Sequence, residues 1–192
     1  QVLTGMAKYM PSGPWQRIAA NIPRLLRGSA PGGLTLDWIA WRAGEGFVTT
    51  PVPGNTPKAG YDAIRVYLWA GMLHPSAPDR DAILSALSGM HAWMRQREIL
   101  PAEVAPDGTP LSPEAGFGYS AALTPYFTAI GDNRLAASSA ARVQNALDRS
   151  SGLYGRPARY YDQNLVMFSS GWAGKRFQFD RQGSLQVNWR RT

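Results

Sequence analysis

No cysteine occurs in the 192 residues, which removes disulfide frameworks and thiolate metal sites together. Histidine is almost as scarce: His74 and His91 are the only two, and their separation matches no zinc-binding spacing. Lysine is confined to Lys8, Lys58 and Lys175, so the formal charge of +7 is nearly all arginine. The arginines lie singly from Arg17 to Arg191, with only Arg190 and Arg191 adjacent. That scatter reads as a solvated, ion-paired surface rather than a nucleic-acid footprint. No run reaches the roughly 18 apolar residues that a membrane span requires, and the first residues do not read as a signal peptide. What is abundant is aromatic: seven Trp, eight Tyr and six Phe suit a large core or a groove lined with flat rings. At 44% hydrophobic and 17% charged, the chain reads as one globular domain, not a disordered one.

Apolar period and punctuation place seven helical segments, at about 1–10, 14–28, 61–73, 79–97, 118–131, 133–149 and 160–172. The first has no capping residue ahead of it, so the chain reads as starting inside an element, as a processed or truncated N-terminus would. A Gly- and Pro-rich stretch from Ser29 to Gly60 holds a short element at Asp37-Trp38-Ile39-Ala40-Trp41. A hairpin of 176–179 with 185–189, turning around Gln182-Gly183, closes the chain. Segments 61–73, 118–131 and 160–172 are apolar on nearly every face, which requires burial on all sides. Segments 14–28, 79–97 and 133–149 are amphipathic; in the last, Leu135, Val143 and Leu147 form the apolar side. Alternation of the two kinds is what a barrel of paired inner and outer helices needs. Each inner segment opens with Tyr beside a small polar residue: Tyr61-Asp62, Tyr119-Ser120 and Tyr160-Tyr161-Asp162. In such a barrel these pairs gather on one rim.

Asp62 is the candidate catalytic residue on physical grounds. It stands at the start of the most apolar helix with Arg65 three residues on, on the same face. The competing reading is a helix N-cap, worth about 0.5–2 kcal/mol. A neighbouring Arg and a helix N-terminus both favour the ionised carboxylate. A general base that deprotonates water needs that form.

Lys58-Ala59-Gly60-Tyr61-Asp62-Ala63-Ile64-Arg65-Val66-Tyr67-Leu68-Trp69-Ala70-Gly71-Met72 closely resembles the general-base segment of glycoside hydrolase family 8. The similarity runs on through Leu36-Asp37-Trp38, Gly118 to Pro125, Tyr160 to Trp172 and Arg176 to Phe179. The resemblance implies an all-α fold, the C-terminal half of an (α/α)6 barrel with a small C-terminal β-hairpin. It implies a single catalytic-domain fragment that lacks the N-terminal half of the barrel. It also implies inverting hydrolysis of β-1,4-glucan without a cofactor or metal. Asp62 matches the general base and Arg65 the arginine beside it. Tyr61 matches a flank of the site, and Tyr160 and Tyr161 match aromatics near the sugar-binding rim. Partners implied are β-1,4-glucan or a cello-oligosaccharide, the missing N-terminal half of the same protein and the bacterial cellulose synthase complex, in the periplasm or outside the cell. Chitosan, xylan or mixed-linkage glucan is the alternative substrate, and a non-catalytic all-helical glycan-binding protein the alternative class.

One departure carries weight. The family's general acid lies in a Glu-Gly-x-x-Tyr-Gly pattern and a sugar-binding acid in Asp-Gly-Asp; Glu45-Gly46-Phe47-Val48 and Asp107-Gly108-Thr109 match neither. Inverting hydrolysis needs two carboxyl groups roughly 6.5–9.5 Å apart, and this chain supplies one, so alone it is expected to be inactive. Gly118-Tyr119-Ser120-Ala121-Ala122 is a poor nucleophile elbow, having no strand before it. Gly116-Phe117-Gly118 lacks the third glycine of a dinucleotide loop. Trp38, Trp41, Trp69, Trp93 and Trp172 could stack on sugars, but their apolar surroundings favour the core.

Overall fold

A helix with apolar side chains on every face must be surrounded, and α6 (Phe117–Ala129) is. It packs between α3 (Ile64–Gly71) and α8 (Tyr160–Ala173), and α7 (Asn133–Asn145) lies along it as well. Tyr119, Ala122, Leu123, Tyr126 and Phe127 are all buried in the process. The amphipathic α7 turns Leu135, Ser139 and Val143 inward, one stripe at helical spacing. On the far side of α3 lie α4 (Arg80–Ala86) and then α2 (Trp15–Ser29), which also holds α1 (Val2–Tyr9). The computed structural model describes residues 1–49, 56–97 and 100–188. Over these it shows the expected architecture: inner helices α3, α6 and α8, amphipathic helices outside them, and a C-terminal hairpin. That hairpin pairs β5 (Phe177–Phe179) with β6 (Leu185–Val187); Trp189, expected at its end, lies outside the described residues.

Three boundaries differ most from expectation. Segment 79–97 is two helices, α4 and α5 (Ser88–Gln96), broken at Leu87. Gly89 sits against the backbone of Gly32 and Gly33, where a Cβ would overlap the Gly32 carbonyl. The Leu87 carbonyl instead accepts the buried Tyr126 hydroxyl at 3.0 Å. Helix α7 ends at Asn145, because Asp148 accepts from the amide and hydroxyl of Ser150 and from the Ser151 hydroxyl, closing a turn. Leu147 therefore stands in a short hairpin, β3 (Leu147–Asp148) with β4 (Leu153–Tyr154), and not on the helix face. The element at 37–41 continues into β1 (Ala40–Arg42), paired with β2 (Gly46–Val48). Trp38 and Trp41 are 56% exposed and not core, unlike Trp93, which is buried. Trp41 meets Phe47 edge-on at 4.8 Å under the Arg24 guanidinium, a surface cluster.

Tyr126→Phe removes the hydroxyl that reaches the Leu87 carbonyl from α6 and leaves that carbonyl the Met90 amide at 3.2 Å. Losing one such bond costs about 0.5–1.5 kcal/mol. Thermal unfolding followed by circular dichroism should show a midpoint about 1–6 °C lower, with the helical signal unchanged at 20 °C or so. An unchanged midpoint would mean the bond contributes nothing net.

Candidate active site

The first turn of α3 is set from outside the helix. Asp37, carried on the segment just before β1, places Oδ1 within 2.8 Å of both the Gly60 and the Ala63 amide nitrogens, and both donate to it. That segment is itself anchored: the Thr35 amide donates to the Tyr67 hydroxyl at 3.1 Å, and the Asp37 amide donates to the Lys58 carbonyl at 2.7 Å. Tyr67 is buried on the inner face of α3, and burial pushes its phenol up to about 12. Gly60 is required here, since a Cβ on it would come within 2.6 Å of Asp37 Oδ2.

Asp62 follows in the turn between Tyr61 and α3. Its side chain is 52% exposed and receives the Arg65 guanidinium at 2.8 Å on Oδ1. Arg65 Nε also donates to the Asp62 carbonyl at 3.2 Å. No backbone amide is bonded to the Asp62 carboxylate among the described residues; Arg65 holds it, and it faces outward. An exposed i,i+3 pair contributes little stability, so its value is orientation.

Tyr61 is the hub of the rim. Its ring meets Tyr119 edge-on at 4.7 Å and Tyr161 at 5.7 Å, so the openings of α3, α6 and α8 converge as the repeated pattern predicted. The Tyr161 hydroxyl donates to the Tyr61 carbonyl at 2.6 Å, tying α8 to the turn before Asp62. Burial raises the phenol pKa of Tyr61, Tyr119 and Tyr161, so all three stay protonated donors at neutral pH. Tyr61, Asp62, Arg159, Tyr161 and Asp162 line an open cavity of about 260 Å³.

The polar halves of the three pairs do not all join it. Ser120 turns away, its hydroxyl accepting from Arg142 Nε at 3.2 Å. Asp162 is only 6% exposed, its Oδ1 tucked where a Cβ on Gly118 would stand, and burial raises its pKa against the opposing pull of Arg159. Tyr160, at the start of α8, is 83% exposed, and its side chain is not among those lining the cavity. Asp37, Arg159 and Asp162 were missed by the sequence reading. Asp162 had a signal as the partner of Tyr161 in the repeated pattern, and Asp37 stood in the family-like Leu36-Asp37-Trp38 segment without being assigned to the site. Among the described residues no group of three or more His, Asp or Glu is placed to hold a metal ion, and no helix is long and apolar enough to cross a membrane.

The chain is similar to proteins of one family. The family model for glycosyl hydrolases family 8 matches residues 3–175. An endoglucanase of Xanthomonas axonopodis pv. citri (strain 306) is 39% identical over 191 residues, which are 99% of this chain and 48% of that protein. An endoglucanase of Salmonella typhi is 30% identical over 176 residues, 92% of this chain and 44% of that protein. The crystal structure of endo-1,4-D-glucanase from Vibrio fischeri ES114 superposes with a TM-score of 0.82 at 26% identity, over 97% of this chain and 52% of that one. The chain thus spans about half the length of the relatives it matches.

Proposed function

Because this chain belongs to glycosyl hydrolases family 8, we propose that it forms the general-base half of an endo-β-1,4-glucanase that inverts the anomeric carbon. One observation carries the reading: an outward-facing carboxylate, Asp62, held by Arg65 at the mouth of a tyrosine-lined cavity. In the reaction, Asp62 takes a proton from water as the water oxygen bonds to the anomeric carbon. The glycosidic bond breaks, and the leaving oxygen takes a proton from an acid on the opposite side of the sugar. Tyr61 and Tyr161 offer ring edges and faces beside that water.

The acid comes from a second segment, the complementary half of the barrel. An apolar groove of about 780 Å³, lined by Trp69, Met167, Phe168, Phe177, Phe179 and Leu185, is the surface that half covers. The groove runs between inner helices α3 and α8, where Trp69 and Phe168 meet edge-on at 5.3 Å, and Met167 and Leu185 are exposed on its walls. Burying such a patch is a strong drive to association. The resemblance of the Asp62 segment further supports a periplasmic or secreted enzyme linked to bacterial cellulose synthesis.

The test is stereochemical. The full-length protein, containing both halves, is incubated with cellopentaose and the new reducing ends are followed by proton NMR within the first minutes. The α-anomer should appear before mutarotation. Initial β-anomer, or hydrolysis of chitosan or xylan with none of cellopentaose, would overturn the mechanism or the substrate respectively. This chain by itself should release no sugar.

A further inference from the structure

We propose that Asp37 is the positioning residue for Asp62: it pins the turn that carries the base, so that Asp62 stays aimed at its water. The inference rests on the general-base reading of Asp62 and adds a residue to it.

Three features of the structure support this. First, Asp37 Oδ1 holds the amides on both sides of Tyr61-Asp62, those of Gly60 and Ala63, each at 2.8 Å, and so fixes the turn from which Asp62 projects. Twenty-five residues separate the two carboxylates, so only the tertiary fold brings Asp37 to that turn.

Second, Asp37 is itself braced. Its amide is bonded to the Lys58 carbonyl, and Ala59 exchanges backbone bonds with Val104 at 2.8 and 3.0 Å. Two residues upstream, Thr35 is locked to Tyr67 in the middle of α3. Tyr161 clamps the other side of the turn through the Tyr61 carbonyl. The peptide carrying Asp62 is thus held from α8, from the loop before β1 and from α3 itself. Catalytic groups held this tightly gain rate through orientation.

Third, Asp37 and Asp62 interact as like charges. Burial raises the Asp37 pKa first, its two amide bonds oppose that, and Asp62 raises it further while Lys58 lowers it. Lys58 pairs with Glu103 and faces both aspartates. Arg65 from α3 and the phenols of Tyr61 and Tyr161 complete the charged and titratable groups around Asp62, with Arg159 and Asp162 across the cavity.

The experiment uses the full-length protein and cellopentaose. Asp37→Asn keeps an acceptor oxygen for the amides and discards the charge; Asp37→Ala discards both. For Asp37→Asn, kcat should fall about tenfold with KM within threefold. For Asp37→Ala, kcat should fall about a hundredfold with KM again within threefold, so that Asn partly rescues Ala. Wild-type kcat in Asp37→Asn overturns the proposal. Should either variant not fold, the other decides alone, wild-type kcat in it overturning the proposal. Asp62→Asn is assayed alongside. If it stays active, the general-base reading has failed; if it is inactive while Asp37→Asn behaves as wild type, only the present inference has.

Discussion

Asp62→Asn is expected to lower cellopentaose hydrolysis by the full-length protein about 10²–10⁴-fold while changing its stability by less than about 1 kcal/mol. The two halves of that expectation come from different parts of the structure. The rate loss follows from the chemistry: Asn cannot take the proton from water. The small stability change follows from geometry. The bond Asp62 makes is an exposed pair with Arg65, about half of each side chain facing solvent, and the Gly60 and Ala63 amides are held by Asp37. Activity measured against circular dichroism melting checks both at once. A variant that retains hydrolysis ends the general-base assignment. A variant that melts several degrees lower shows that Asp62 also supports the turn.

Gly71→Ala is the largest expected structural effect. Gly71 ends α3 where it crosses α6 most closely, and a Cβ there would overlap the Pro125 carbonyl carbon and the Tyr126 nitrogen and lie 2.6 Å from the Pro125 oxygen. These are backbone atoms and cannot swing aside as a side-chain tip does. Helix propensity alone favours Ala over Gly by about 1 kcal/mol, whereas forcing apart a packed core costs about 1–3 kcal/mol or more. The clash wins, for a net loss of about 2 kcal/mol and a melting midpoint lower by about 4–8 °C. Splaying α3 from α6 also separates Tyr61 from Tyr119, so activity should fall together with stability. Gly5→Ala in α1 is the control, because the nearest atom to its Cβ is 3.9 Å away; it should be neutral or slightly stabilising. Equal melting points for the two variants would show that the α3–α6 crossing relaxes without cost.

Helix α6 was legible because all-round apolarity has only one stable solution in water, which is burial on every side; α8, read the same way, instead leaves Met167 57% exposed on the apolar groove. The tyrosine rim was legible for a related reason: inner helices of one barrel begin at one end, so a pattern repeated at their starts converges. Asp62 and Arg65 are three residues apart on one helix turn, and their pairing is a local matter. Asp37 was not legible as a site residue, since nothing near it in the chain marks it as the anchor of the turn before a helix that starts at Ile64. The break at Leu87 escaped notice for the same reason, for it answers to Gly32 and to Tyr126 rather than to its own neighbours. Trp38 and Trp41 were misread because composition says that a ring is apolar but not whether another segment covers it.

The sequence by itself determined which helices lie inside, which end of them bears the tyrosines, and that a carboxylate and a guanidinium stand together there. Each of these follows from periodicity or short spacing along one chain. Only the tertiary structure decided how the turn carrying Asp62 is held, because the Gly60 and Ala63 amides on either side of it bond a side chain from the segment before β1. Hydrogen bonds between distant segments depend on how the helices cross, and crossing is settled by packing after the helices exist.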